Sequence, residues 1–351
     1  MKMHLRFNIK NWFNGKIEIY LLIFGLFLMF FFFTSVQLRS REIIEPMEFP
    51  EMQSTDGNEL NKDRFELGRR LFYDPILSSD STISCASCHK QKFAFADNTT
   101  ISPGVLKRLG NRNAPTLTNV GYNPTYLFDG FLTTLEKQAL VPIEEHAEMN
   151  FNIVEVAKRL KRNKSYVKAS YRAYKREPDA FVITRALAAF QRNLVSKGSK
   201  FDQYIRGKAK LTTSEKNGMK LFYDVLYCTK CHSGYNFTDF SVQNNGLSAT
   251  PSDSGRMRVT RLETDRDLYK VPTLRNIALT SPYMHDGRLA TLRDVLDHYE
   301  NGGSLHPNKS KLITPFKLSK IEKDDLLAFL NTLTDYRFIT NKKFSNPYPE
   351  N

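Results

Sequence analysis

Every cysteine of this chain belongs to one of two C-x-x-C-H motifs, Cys85-Ala-Ser-Cys88-His89 and Cys228-Thr-Lys-Cys231-His232. The spacing is that of c-type haem attachment, in which both thiols add to the vinyl groups of one porphyrin and the next residue's imidazole reaches the iron as proximal ligand. A zinc site built from the four thiols, or structural disulfides, are the alternatives. Cysteines this close in sequence make poor structural bridges, and both motifs sit in the same local context. Gly68-Arg-Arg-Leu-Phe-Tyr-Asp74 precedes Cys85, and Gly218-Met-Lys-Leu-Phe-Tyr-Asp224 precedes Cys228. The chain therefore reads as an internal duplication, with the expectation of two tandem domains that each carry a covalent haem.

The 351 residues suit that arrangement behind a leader. Lys2, Arg6, Lys10 and Lys16 precede an almost unbroken apolar run from Ile19 to Phe33, near the lower length limit of a membrane-spanning helix. Positive residues ahead of the run hold that end in the cytoplasm and send the remainder across the membrane. No small-residue cleavage site follows, which favours an uncleaved anchor over residues 1–37, with a cleaved signal peptide as the alternative. Residues 38–58 are polar, aperiodic and contain proline, as a linker does. Residues 59–198 and 199–351 are the two expected domains.

Signals within the domains are mainly helical. Thr212 with Glu215, and Ser319 with Glu322, have capping-box spacing and predict helices over Glu215–Tyr223 and Ile321–Leu333. Phe181, Ile183, Leu187, Phe190 and Leu194 mark one apolar face of a helix over about Asp179–Val195. Long loops rich in Gly, Pro and Asn fill 97–130 and 233–290, and such loops in a compact domain usually wrap something. The predicted fold is mostly α: two tandem class I cytochrome c-like domains with long loops, after an N-terminal transmembrane helix. Hydrophobic residues at 41% and charged residues at 25% exclude wholesale disorder and a polytopic membrane protein. A net charge of +14 suits an acidic partner or surface, and no nucleic-acid-binding motif accompanies it.

Function turns on the second axial position of each iron. An electron-transfer haem is normally six-coordinate through His or Met, whereas a peroxide-activating haem needs an open distal face and groups that move a proton. After His89 the next histidine is His146 and the next methionine Met149, so the first haem lacks a nearby sixth ligand. After His232 the candidates are Met257, Met284, His285, His298, Tyr299 and His306, which residue chemistry alone does not rank.

Seven motifs follow in order between about Gly68 and Leu333: CASCH, RNAPTLTN (Arg112–Asn119), FDG with LEKQA (Phe128–Ala139), Pro142–Met149, CTKCH, VPTLRNIALTSPYMHDG (Val271–Gly287) and TLRDVLDHY (Thr291–Tyr299). Together they resemble the bacterial diheme cytochrome c peroxidases, and within them the methylamine-utilisation (MauG-like) branch, whose diheme enzyme oxidises tryptophans of a partner protein. The resemblance implies that the N-terminal haem is the peroxidatic one and that Gln138, Pro142 and Glu148 line its distal pocket, with Glu148 in the acid–base role. It implies His89 as proximal ligand of the first iron, and His232 with Tyr299 as ligands of the second. Many members have methionine where Tyr299 stands. A phenolate favours ferric iron and a thioether ferrous iron, so the exchange lowers the second haem's potential. His298 is the runner-up ligand; neighbouring helix positions point about 100° apart, so both cannot face one iron.

The resemblance further implies a calcium ion between the haems, with Asn113, Thr280 and Pro282 as ligands. Many members cap the peroxidatic iron with a histidine from the loop after the first motif. Lys90–Arg112 contains none, which implies a first haem open without reductive activation. His146 stands where proline is common, where it can compete for the iron or tune Glu148. Phe128 stands where the family usually has a tryptophan between the haems, and the single tryptophan here, Trp12, precedes the apolar run. Electrons are then left to tunnel between haem edges or to use tyrosine.

The first expectation is an anchored diheme peroxidase on the periplasmic side of the bacterial inner membrane, or a soluble periplasmic one if the leader is cleaved. It reduces hydrogen peroxide to water with electrons from a small redox protein, a cytochrome c or a cupredoxin. A MauG-like oxidase that modifies residues of a partner protein is the alternative enzyme. A non-enzymatic diheme electron carrier is the reading from another class, and Gln138 with Glu148 argues against it.

Overall fold

The structure is a computed structural model that describes residues 48–55 and 57–348, so the apolar run and the anchor expected over 1–37 lie outside the described residues. Among the described residues no helix is long and apolar enough to cross a membrane.

The fold is mostly helical, as expected. The first repeat runs through α1 (Lys62–Tyr73), the short α2 (Leu135–Gln138) and α3 (Leu140–Glu144), then α4 (Ile153–Lys161), α5 (Lys164–Tyr174) and α6 (Ala180–Arg192). The second uses α7 (Lys200–Ile205), α8 (Thr213–Lys220), α9 (Leu292–Glu300) and α10 (Lys320–Asn331), followed by α11 (Tyr336–Thr340). A two-residue antiparallel ladder joins β1 (Val242–Gln243) to β2 (Tyr269–Lys270). Most helices open on a side chain that accepts a free backbone N–H: Asn61 for α1, Thr134 for α2, Asp179 for α6, Thr212 for α8, Thr291 for α9 and Ser319 for α10. Both predicted capping boxes form.

The duplication fixes the packing. α1 crosses α6 at Gly68, and α8 crosses α10 at Gly218, each so closely that a Cβ would lie 1.9 Å from a carbonyl oxygen, of Ala186 and of Asp325 respectively. Phe72 then meets Phe190 at 4.9 Å between ring centroids, and Phe222 meets Phe329 at 5.2 Å. Phe95 and Phe237 complete the two aromatic clusters, 6.0 Å from Phe72 and 6.1 Å from Phe222. All six phenylalanines are buried, each contributing roughly 1.5–3 kcal/mol.

A second pair of contacts repeats across the duplication. Asn119 and Asn276 both adopt left-handed backbone and donate their N–H groups to the carbonyls of Leu194 and Leu333. Their side-chain oxygens accept from the backbone of Ser196 and Asp335 at 2.7 and 2.8 Å. Each long loop is thereby pinned to the end of its repeat's last long helix.

Some details differ from the sequence reading. Phe181 lies outside the core face of α6: it is exposed, with its ring against Tyr174 and the Arg185 guanidinium 3.7 Å above it. The core face is carried by Ile183, Ala186, Leu187 and Phe190. Within the stretch read as linker, Asn58 is fully buried and donates to Glu136 and to the Arg185 carbonyl. α8 does not continue as a regular helix to Tyr223; it widens into a π-turn closed by a 2.8 Å bond from Leu226 N–H to the Leu221 carbonyl. After α11 the chain runs along the first repeat, where Phe338 packs on Phe95 and the Tyr348 hydroxyl bonds Asp74 at 2.9 Å.

The close crossings generate a prediction. Gly218→Ala gains helix propensity of up to about 1 kcal/mol, but the methyl must displace backbone, at a cost of about 1–3 kcal/mol. A lowered thermal midpoint is expected for Gly218→Ala and equally for Gly68→Ala; an unchanged or raised midpoint by calorimetry contradicts the crossing.

Candidate active site

The two motif histidines, His89 and His232, are positioned by the aromatic clusters. Phe95 and Phe237 hold left-handed backbone, rare for bulky residues, which turns their carbonyls toward the histidines. His89 Nδ1 lies 2.9 Å from the Phe95 carbonyl oxygen, and His232 Nδ1 lies 3.2 Å from that of Phe237. With Nδ1–H donating to the carbonyl, each Nε2 keeps its lone pair for a metal. Burial lowers the pKa of both rings, so both are neutral imidazoles. The Pro115 carbonyl acts on the His89 ring and the Pro272 carbonyl on the His232 ring, each from its own repeat's long loop, partly offsetting that burial.

All four cysteines are free and half-buried. Burial pushes the thiols of Cys85 and Cys228 up to about 12 and that of Cys88 up to about 11, so before haem attachment they would stand as protonated thiols beside their histidines. Thiol pairs next to neutral imidazoles with free Nε2 atoms are the donor set a c-type haem requires. The residues present therefore fit two covalent haems.

The distal sides are also duplicated, a relation the sequence reading missed although Phe128-Asp-Gly-Phe-Leu-Thr-Thr-Leu135 and His285-Asp-Gly-Arg-Leu-Ala-Thr-Leu292 carry it. Backbone bridges Tyr126–Leu132 and Tyr283–Leu289 close the equivalent turns, and Thr134 and Thr291 then cap α2 and α9. Counting from these caps, Pro142 occupies the position of Tyr299. Proline offers no ligand atom. Tyr299 is desolvated by burial, which raises its pKa, while a 3.4 Å hydrogen bond from Asn245 Nδ2 works the other way; Cys231 and Cys228 lie close to it. His298 turns elsewhere, with Nε2 3.0 Å from the Asn245 carbonyl oxygen.

On the first distal side Pro142 is the third residue of α3, where no backbone N–H is needed. The chain turns at Glu145, which accepts the N–H groups of Glu148 and Asn150 at 3.0 Å each. Glu148 reaches Cys85 and Cys88 closely enough to raise both thiols. Glu148 is exposed, yet desolvation by the protein packed around its carboxyl, followed by the Glu145 carboxylate, pushes it up to about 6. Gln138 is half-buried at the end of α2. That turn is anchored by Glu136, which takes both Arg192 nitrogens at 2.7 and 2.9 Å and the Asn58 amide at 2.7 Å. Burial alone would raise Glu136, but these bonds hold it at about 2. His146 is exposed, 3.3 Å from both Asn150 Oδ1 and Arg108 Nη1.

Of the residues singled out for a cation, Asn113 donates its amide to the Thr99 and Thr100 carbonyls at 3.0 Å each, and its N–H to the His285 carbonyl at 2.7 Å. Thr280 is buried and donates its hydroxyl to the Ile277 carbonyl at 3.2 Å. Pro282 follows a cis peptide bond. Phe128 is half-buried, and its carbonyl accepts the Lys270 N–H at 2.7 Å.

Fold and site together define a diheme c-type cytochrome. Residues 62–210 match the family model described as di-haem cytochrome c peroxidase. The chain is 37% identical over 282 residues to the methylamine utilization protein MauG of Methylorubrum extorquens, covering 79% of this chain and 80% of that one. It is also 37% identical over 282 residues to the cytochrome c551 peroxidase of Nitrosomonas europaea, covering 78% and 80%. The crystal structure of a MauG-like protein associated with microbial copper homeostasis superposes with a TM-score of 0.82 at 34% identity, covering 86% of this chain and 98% of that one. The chain belongs to the di-haem cytochrome c peroxidase family. It is an oxidoreductase that acts on peroxide and carries two c-type haems.

Gly104 is a residue that sequence reasoning missed. A Cβ there would lie 2.4 Å from the Glu148 carbonyl oxygen and 2.7 Å from its Cα, while the next N–H, of Val105, donates to that oxygen at 2.8 Å. Gly104→Ala is expected to push Glu148 off station, slowing the reaction with peroxide while haem content and the spectrum of the second haem stay unchanged. Wild-type kinetics in this variant, followed by stopped-flow absorbance, contradict that positioning.

Proposed function

We propose that peroxide is reduced on the His89 side, with Glu148 moving the proton, and that electrons enter on the Tyr299 side from a small redox protein. The observation carrying this reading is the asymmetry of the duplicated distal helix, proline at 142 against tyrosine at 299. When bound, the haem supplies an iron that exchanges electrons and, where a coordination position is open, accepts a peroxide oxygen. Pro142, which has no ligand atom, would leave that position open. The Gln138 amide orients the peroxide, and a Glu148 carboxylate oxygen takes the proton from the inner peroxide oxygen and returns it to the outer one as the O–O bond breaks. Hydrogen peroxide, two electrons and two protons give two waters. A carboxyl poised at about 6 is suited to both halves of that transfer.

On the other side His232 and the Tyr299 hydroxyl would hold the iron of the second haem. The net charge of +14 favours an acidic cytochrome c or cupredoxin as donor. The Asn113 side-chain oxygen and the Thr280 and Pro282 carbonyls would hold a calcium ion completed by waters, which would stiffen the seam between the repeats. The chain works on the periplasmic side of the inner membrane, anchored through Ile19–Phe33, or free in the periplasm if that run is removed. A second reading, a MauG-like oxidase acting on a partner protein, is favoured by Tyr299 and by the lack of histidine between Lys90 and Arg112, and disfavoured by Phe128.

Glu148→Gln tests the first reading. The carboxylate is the active form for taking the proton, so the wild-type rate with peroxide rises with pH through about 6. The variant loses roughly 10²–10⁴-fold and its profile is flat in that range. Full activity in Glu148→Gln, with normal haem content, sinks the assignment.

A further inference from the structure

One set of groups on the seam between the repeats has no part in the chemistry above. Tyr269 lies flat against His285, with ring centroids 3.8 Å apart and planes 13° from parallel. The pair sits on a continuous route between the two proximal histidines. Toward His232, Tyr269 is three residues from Pro272, whose carbonyl acts on the His232 ring. Toward His89, the His285 carbonyl accepts the Asn113 N–H at 2.7 Å, and Asn113 is two residues from Pro115, whose carbonyl acts on the His89 ring.

Burial, with the Asp253 and Asp267 carboxylates beside it, keeps the phenol protonated at rest, so its electron can leave only together with its proton. Its hydroxyl donates to the Asp253 backbone carbonyl at 3.1 Å, and the Asp267 carboxylate, two residues back along the chain, acts on the same phenol. Asp267 is 2% exposed, and burial holds its carboxyl above the ordinary range. Its oxygen accepts the Asn244 amide at 3.0 Å, and that amide lies 3.0 Å from His306 Nδ1. The other charges facing the ring are Arg112, 5.8 Å from its centroid, and Asp253, which binds that guanidinium at 2.6 and 3.0 Å. Phe128, the other aromatic tied to this strand, has no hydroxyl to shed.

We propose that Tyr269, stacked on His285, is a redox relay between the two haem sites, with Asp267 as its proton acceptor. Tyr269 loses one electron to the His89 side and its phenolic proton to Asp267. An electron from the His232 side then restores it, and the proton returns to the phenol. The oxidant is hydrogen peroxide reacting on the His89 side, and the electron comes ultimately from the external donor. The relay rests on the peroxidase reading above and on both haems being held at His89 and His232.

The test uses the all-ferric holoprotein mixed with stoichiometric hydrogen peroxide. Freeze-quench EPR with ring-deuterated tyrosine detects the radical, and stopped-flow absorbance follows the two haems separately. Wild type is expected to give a tyrosyl signal that narrows on deuteration. In Tyr269→Phe, which keeps the stack, the signal disappears and the second haem responds roughly tenfold or more slowly, while the first haem responds at the wild-type rate. Asp267→Asn slows the second haem too and abolishes the solvent isotope effect on that step. A Tyr269→Phe protein that keeps both the radical signal and the wild-type rate at the second haem overturns the relay and leaves the peroxidase reading standing. A wild-type first haem that does not respond to peroxide overturns both.

Discussion

The hydrogen bond from each proximal imidazole to a buried phenylalanine carbonyl joins the core of this protein to its chemistry. Phe95 and Phe237 are at once members of the aromatic clusters beneath the helix crossings and the acceptors for His89 and His232. The crossings at Gly68 and Gly218 bring Phe190 and Phe329 close enough to close those clusters. With the ring packed, the backbone at Phe95 and Phe237 has little freedom to leave its left-handed conformation, so imidazole orientation is set by packing. Tautomer and direction of Nε2 follow from the same contact.

Function comes from where the two copies diverge. The distal helix begins at the same place in each, capped by Thr134 and by Thr291, yet the eighth residue onward is a proline in one and a tyrosine in the other. Proline also interrupts the helix, which is split at Ala139 into α2 and α3, while α9 runs unbroken from Leu292 to Glu300. The turn that follows α3 delivers Glu148 toward Cys85 and Cys88, and Gly104 supplies the only kind of residue its backbone tolerates there. On the proposed reading one copy thus lacks a ligand and gains a proton carrier, and the other keeps a phenol held by Asn245.

Much of this was legible in the sequence because it is local. The C-x-x-C-H spacing, the capping boxes at Thr212 and Ser319, and the LFYD echo each span a few residues. The second half of the duplication was there to be read in the DGxLxTL segments after Phe128 and His285, but without cysteine to flag it the relation passed unnoticed. Other features depend on contacts between distant segments. The Glu136–Arg192 pair spans 56 residues, and the docking of Asn58 on Glu136 spans 78. Phe181 misled because its position fits an apolar stripe, whereas Tyr174 and Arg185 offer its ring a place outside the core.

The central claim is that the two haem sites differ in having, on one side, no protein ligand opposite the histidine. The most direct measurement is EPR of the all-ferric holoprotein before and after stoichiometric hydrogen peroxide, with no reductant added. The account predicts one high-spin and one low-spin haem, with the high-spin signal lost on adding peroxide. Two low-spin haems that ignore peroxide would contradict it, because some side chain would then occupy the position that Pro142 is argued to leave open.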